Sequence, residues 1–293
     1  MRSLAIDIGG TKIALALIEG QNLNHRRQIH TPRTGRGQDI VEAVLAVARS
    51  LPPADSVGVA STGIVDGGCL TALNPATLPI EDRFPLVDTL ATGLGLPVTA
   101  VNDAQAAAWA EYRQGAGRGS AAMAFVTVST GIGGGLILGE QLQVGRRGLA
   151  GHIGHVVVDP VGPACGCGRR GCVERLASGT AIGELGSAAL GRPLAAPDVF
   201  AAANRGEPAA VAIVSGAASG LAALFADLAA TVDVELVVLG GGVGLADGFL
   251  ALVSAAMESQ PAIYRRPVVQ AELGADAGLF GAALLALDGN FHC

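Results

Sequence analysis

The chain has 293 residues, 19 basic and 25 acidic side chains and a net charge of −6, and half of it is apolar. That length fits two domains of roughly 120 to 170 residues each. The acidic balance, with a pI near 5.3, argues against nucleic acid or another polyanion as partner.

The amino terminus enters a strand-like run at once, with no cationic region, apolar signal segment or cleavage site, so a cytoplasmic location is expected. Residues 4–8 and 13–18 read as strands joined by a Gly9-Gly10 hairpin turn. A helix is expected over 39–51, strands over 57–61 and 97–102, and a helix over 103–114 that stops at Gly115. A hinge near 115–120 divides an amino-terminal lobe, 1–117, from a carboxyl-terminal lobe, 118–293. Residues 122–129 and 135–138 repeat the strand, glycine turn, strand pattern, which suggests duplicated halves. A polar, cysteine-bearing loop spans about 145–175. Alanine-rich helices then flank a strand at 235–239, and a last helix at about 276–288 is expected to pack back on the first lobe. The charge-free stretches 119–139 and 208–226 owe their apolarity to alanine and glycine, and neither is expected to span a bilayer. The pattern is α/β in two lobes.

Asp7-Ile8-Gly9-Gly10-Thr11-Lys12 sets an acidic residue near a strand end before a glycine turn bearing a hydroxyl and an ammonium. Glycine lets backbone amides approach phosphate oxygens, Thr11 can donate a hydrogen bond, Lys12 neutralises charge, and Asp7 suits hydrated magnesium. Alone, the hexapeptide reads equally well as a hairpin with a surface lysine. Ser129-Thr130-Gly131-Ile132-Gly133-Gly134-Gly135 repeats the chemistry in the second lobe, and Gly240-Gly241-Gly242 ends a strand where an adenosine would fit. Three such turns favour a nucleotide. Gly166-Cys167-Gly168-Arg169-Arg170-Gly171 matches a dinucleotide-binding glycine pattern, but no strand precedes it and that reading is discarded.

His155, Cys165, Cys167 and Cys172 are spaced so that one loop can wrap three thiolates and an imidazole around tetrahedral zinc. Four protein ligands close such a site, so the metal's role is structural. Arg169 and Arg170 are expected to be solvated, and Cys69 and Cys293 are unpaired thiols suited to a reducing compartment. Asn102-Asp103 lies where a strand meets a helix. Asp103 can accept a proton from a hydroxyl attacking a γ-phosphate, or it can merely cap the helix. His152 and Glu174 flank the cysteine loop and, as isolated residues, read as surface groups. Trp109 reads as a packing residue.

At these residues the chain resembles the ROK (repressor, open reading frame, kinase) family of sugar kinases over essentially its full length. The resemblance rests on Asp7 to Lys12, on Asn102-Asp103-Ala104-Gln105-Ala106-Ala107-Ala108-Trp109-Ala110-Glu111, on Gly151-His152-Ile153-Gly154-His155, and on Cys165-Gly166-Cys167-Gly168-Arg169-Arg170-Gly171-Cys172-Val173-Glu174. It implies the actin-like ATPase (ribonuclease H-like) fold, two lobes around a cleft, and ATP with Mg2+ held by the glycine hairpins. It further implies that Asp103 is the catalytic base for a sugar 6-hydroxyl, that Asn102, His155 and Glu174 contact the sugar, and that His155 serves both zinc and sugar. Family glucokinases carry glutamate where this chain has His152. A hydrogen-bond donor in place of a carboxylate suits an acetamido carbonyl, and with residues 61–64 and 72–75 it implies N-acetylmannosamine as substrate, in sialic acid breakdown, with Asn74 a further sugar contact. Glucose or another N-acetylhexosamine is the alternative within the family. Family repressors carry a helix-turn-helix domain before the first phosphate hairpin, whereas six residues precede Asp7 here, so DNA binding is not expected. The resemblance also implies a homodimer with no membrane partner.

Overall fold

The computed structural model describes residues 1–288, so Cys293 lies outside the described residues. The described residues form two compact units, one of Met1–Arg113, Leu142–Ala150 and residues 275–288, the other of Gln114–Gln141 and Gly151–Gly274.

In chain order the first unit begins with β1 (Ser3–Ile8), β2 (Lys12–Glu19), β3 (Asn22–His30), α1 (Gly37–Ala48), β4 (Ser56–Ser61), β5 (Ile64–Asp66) and β6 (Cys69–Thr71). It continues with α2 (Leu86–Leu94), β7 (Val98–Asn102) and α3 (Asp103–Gln114). The sheet order is β3-β2-β1-β4-β7, with β1 antiparallel to β2 and parallel to β4. Alternation along the strands sorts side chains onto two faces. Leu4, Ile6, Ile8, Ile13 and Leu15 meet Ile40, Val41 and Val44 of α1 in one core cluster. On the other face Ala5, Ala14 and Ala16 meet Leu279 and Ala283 of the carboxyl-terminal helix. The small residues on that face allow backbone to approach backbone: a Cβ on Gly58 would collide with the Ala282 carbonyl, and one on Gly281 with the Ala106 carbonyl.

The second unit contains β8 (Ala122–Val128), β9 (Ile132–Leu138), the start of β10 (Gln141–Gln143), which runs across the boundary at Leu142, and then α4 (Glu174–Ala177), α5 (Gly179–Leu190), α6 (Ala196–Asn204) and α7 (Pro208–Val232). Then come β11 (Leu236–Gly240), α8 (Gly241–Gly244), α9 (Phe249–Glu258) and β12 (Val268–Gln270), before α10 (Ala277–Leu287) returns to the first unit. The sheet order β10-β9-β8-β11-β12 repeats that of the first unit, an antiparallel hairpin followed by a parallel strand on the inner side. The expected duplication is therefore visible as topology.

Two expectations need correction. Residues 142–150 belong to the first unit, because Gln105, almost fully buried, donates its side-chain amide to the Ala150 carbonyl at 2.7 Å and to that of Gly148 at 3.4 Å. The apolar stretch at 208–226 extends to Val232, and the resulting 25-residue helix is long and apolar enough to cross a membrane by length and composition. Its Val214, Leu221, Leu224 and Phe225 lie in the core cluster of the second unit, against Val199 of α6 and Phe249 of α9.

Candidate active site

In the first unit the β1–β2 turn closes through the Gly9 amide donating to the Lys12 carbonyl at 3.0 Å. The Thr31 hydroxyl donates to the Gly9 carbonyl at 2.6 Å, which fixes the turn and leaves Thr11 and Lys12 exposed. Ile8 is fully buried, so only its backbone can serve a ligand. Asp7 precedes this turn, and its carboxyl is pushed up to about 7 by burial and by the negative charge of Asp103, with Lys12 opposing. Burial also raises Asp103, against the hydrogen bond it receives from the Ala104 amide. Neutralising these two carboxyls therefore favours folding. For Asp7 that contribution is full below its ordinary value of 3.8 and is lost as pH rises through about 7.

The capping question at α3 has a definite answer. Asn102 is the cap: its Oδ1 accepts from the Ala104 amide at 2.9 Å and the Gln105 amide at 3.3 Å. Its Nδ2 donates to the Gly63 carbonyl at 3.0 Å and faces the Ser61 carbonyl at 3.5 Å. These contacts tie the Asn102 side chain to the helix start and to the segment after β4. Asp103 Oδ1 also accepts from the Ala104 amide at 2.8 Å, and with Asn102 in place Asp103 is not the sole cap. Asn74 lies on an exposed loop, its Oδ1 accepting from the Ala76 amide at 2.9 Å.

In the second unit the tight turn falls at Ser129–Gly131, where the Ser129 amide donates to the Gly131 carbonyl at 2.9 Å. The amino end of α5 rests on it: the Gly179 amide donates to the Ser129 carbonyl at 2.7 Å, and the Thr180 hydroxyl to the Thr130 carbonyl at 2.9 Å. A helix amino terminus beside a glycine turn favours anions. Gly133, Gly134 and Gly135, expected as phosphate contacts, lie inside β9, paired with Thr127, Val126 and Phe125. Gly134 is glycine because a Cβ there would collide with Ile153, and a Cβ on Gly154 would collide with the Ile132 carbonyl. Much of this glycine run thus admits the 151–155 segment to the hairpin. Gly240 ends β11, and Gly241 has a left-handed φ of 83° where a side chain would meet the Val128 carbonyl.

A cavity of about 1070 Å³ opens beside Thr130 and Gly242, walled by Thr180, Glu184, Phe200 and Asn204. Sequence reading missed the α5 and α6 side of it. The available signal was the helical spacing of polar Thr180, Glu184 and Ser187.

The cysteine loop brings its four expected ligands together, with the donor atoms of His155, Cys165, Cys167 and Cys172 all within 4.8 Å of one another. Cys165 Sγ lies 3.6 Å from His155 Nδ1, and Cys167 Sγ 3.6 Å from Cys172 Sγ. Tetrahedral zinc with ligands at about 2.0–2.3 Å requires edges of roughly 3.5–3.8 Å, so the cluster fits the ion. Burial, then hydrogen bonds with Cys167 and Cys165, push the Cys172 thiol up to about 12, a proton that a cation would displace. Arg169 is exposed, as expected, and also donates to the His155 carbonyl at 3.0 Å, which braces that residue's backbone. Glu174 Oε2 accepts from the Ile132 amide at 3.0 Å, tying the loop's far end to the glycine hairpin. His152 is partly buried, its Nε2 has no protein partner, and burial and neighbouring His155 both lower its pKa.

The model of the ROK family matches residues 3–289. The chain belongs to the ROK family. A ROK relative named N-acetylmannosamine kinase, from Yersinia pestis (strain Pestoides F), is 51% identical over 288 residues, covering 97% of this chain and 98% of the relative. Among solved structures, a ROK hexokinase from Thermus thermophilus is 35% identical with a TM-score of 0.88, covering 99% of both chains. A ROK family glucokinase from Streptomyces griseus, in complex with glucose and AMPPNP, is 34% identical with a TM-score of 0.81, covering 99% of this chain and 100% of its own. The fold is the actin-like ATPase fold of these ROK kinases, as the sequence resemblance implied.

Proposed function

We propose that this protein is an ATP-dependent kinase that phosphorylates N-acetylmannosamine at its 6-hydroxyl, a step in sialic acid breakdown, acting in the cytoplasm as a homodimer. The observation that carries the reading is the 51% identity, across nearly the whole of both chains, to an N-acetylmannosamine kinase. His152, an uncommitted hydrogen-bonding group, supports the choice of sugar.

Asp103 takes the proton of the sugar hydroxyl as that oxygen attacks the γ-phosphorus. Its raised pKa brings it closer to neutrality, where a general base works best. Asn102, by capping α3, holds the Asp103 backbone at the helix start. Thr11, Lys12 and the turn amides bind phosphate oxygens in one unit, and Thr130 with the α5 amino terminus does so in the other. The nucleoside occupies the cavity beside Gly242, which is of ordinary ligand size. Magnesium bound with ATP would neutralise phosphate charge near Asp7. Zinc on the cysteine cluster would hold the loop in one conformation. Because His155 faces that cluster with Nδ1, zinc held there would leave Nε2 free to meet a sugar hydroxyl. His152 donates to, or accepts from, the acetamido group.

His152→Glu tests the sugar assignment. The expected result is a fall of about 10- to 100-fold in kcat/KM for N-acetylmannosamine relative to glucose, measured by coupled ADP release. An unchanged ratio would remove His152 from substrate choice.

A further inference from the structure

The phosphate turn and the Asn74 loop are distant in sequence, yet one exposed side chain binds both. Arg33 Nη1 donates to the Gly10 carbonyl at 3.1 Å and to the Thr77 carbonyl at 3.3 Å, and its Nη2 donates to the Ala76 carbonyl at 2.6 Å. The two segments are in direct contact beneath it, since a Cβ on Gly10 would lie 2.5 Å from the Thr77 carbonyl oxygen. Neighbours on the same strap reinforce the link. The Thr31 amide donates to the Thr11 carbonyl at 3.1 Å, and the Gly37 amide donates to Glu81 Oε2 at 2.6 Å, at the far end of the Asn74 loop. The strap thus binds the turn at one end and the loop at the other. Three backbone carbonyls converge on one guanidinium, whose planar fork can serve several acceptors at fixed angles where an ammonium cannot.

We propose that Arg33 is a positioning residue for the transfer reaction: it staples the loop carrying Asn74 to the Gly9–Gly10 turn, so that sugar and phosphate are held in one register. The inference rests on the kinase reading above for its catalytic meaning, and on the three hydrogen bonds for the staple itself. Arg33 acts through Asn74 and the turn backbone. A displacement of even about 1 Å at such a site costs rate through lost alignment.

The test pairs hydrogen exchange with kinetics on Arg33→Ala, Arg33→Lys, Asn74→Ala and the Arg33→Ala/Asn74→Ala double variant. In Arg33→Ala the Thr77 and Leu78 amides, which donate to the Asn74 carbonyl at 2.9 and 3.1 Å, exchange at least about tenfold faster, while protection in α1 and β4 is unchanged. The KM for N-acetylmannosamine rises about tenfold or more, Arg33→Lys restores little of it, and the double variant is no worse than the more severe single variant. Unchanged exchange at 74–78 overturns the staple. Faster exchange with an unaltered sugar KM, or additive effects in the double variant, overturns the positioning role. A wild-type protein that phosphorylates no sugar contradicts the kinase reading and with it the catalytic role, while the exchange result still decides the staple.

Discussion

Asp103→Asn lowers kcat by about 100- to 10,000-fold, the usual range for removal of a positioned general base, and leaves the fold intact. Asparagine keeps the oxygen that accepts from the Ala104 amide at 2.8 Å, and the cap of α3 is supplied by Asn102, so the helix loses no partner. What disappears is the oxygen able to take a proton. The melting temperature at pH 8 should be equal to or above that of the wild type, because an ionised carboxylate in this environment opposes folding. Turnover of the wild type falls as pH is lowered, since Asp103 lies above its ordinary range and Asp7 protonates at about 7 in the ligand-free protein. A steady-state assay across pH 5.5–8.5, set beside thermal melts, reads both effects. Retained turnover in a folded Asp103→Asn protein would remove Asp103 from proton transfer.

Metal removal should have the second largest effect. Elemental analysis is expected to find one zinc per chain, and Cys172→Ser, at a fully buried position, should abolish its retention. A serine hydroxyl is a poor zinc ligand, and the remaining thiols then have no cation to stabilise them. The sugar KM is expected to rise by roughly 10- to 100-fold, the range for loss of the groups that orient a site, because His155 and Glu174 sit at the two ends of the loop. The ATP KM should change less. Cys167, which is exposed, is the milder position. Full activity and an unchanged melting temperature after verified chelation would contradict a structural zinc.

The sequence made the inner strands legible because β1, β2 and β4 are apolar runs closed by glycine or polar residues. The edge strand β3 was not legible: its Asn-Leu-Asn-His-Arg-Arg-Gln-Ile-His is largely exposed and shows no alternation, so its pairing with β2 is set by tertiary context. The clustering of His155 with the three cysteines was readable from spacing, since three thiols in eight residues allow few arrangements. At Gly134 the sequence carried a second meaning: a glycine that admits a ligand and one that admits another part of the chain look alike in sequence, and here the close approach is that of Ile153. Asp103 could be read either as a base or as a helix cap until the amide partners of Asn102 were known. Arg33 carried no signal, because its three acceptors are carbonyls, which no residue type announces.

The most direct measurement of the central claim is a comparison of kcat/KM for N-acetylmannosamine, N-acetylglucosamine, glucose and mannose with ATP and the purified protein. The account predicts the highest value for N-acetylmannosamine, by about tenfold or more over glucose, with phosphate on the 6-hydroxyl. A preference for glucose, or absence of turnover on all four sugars, would contradict it.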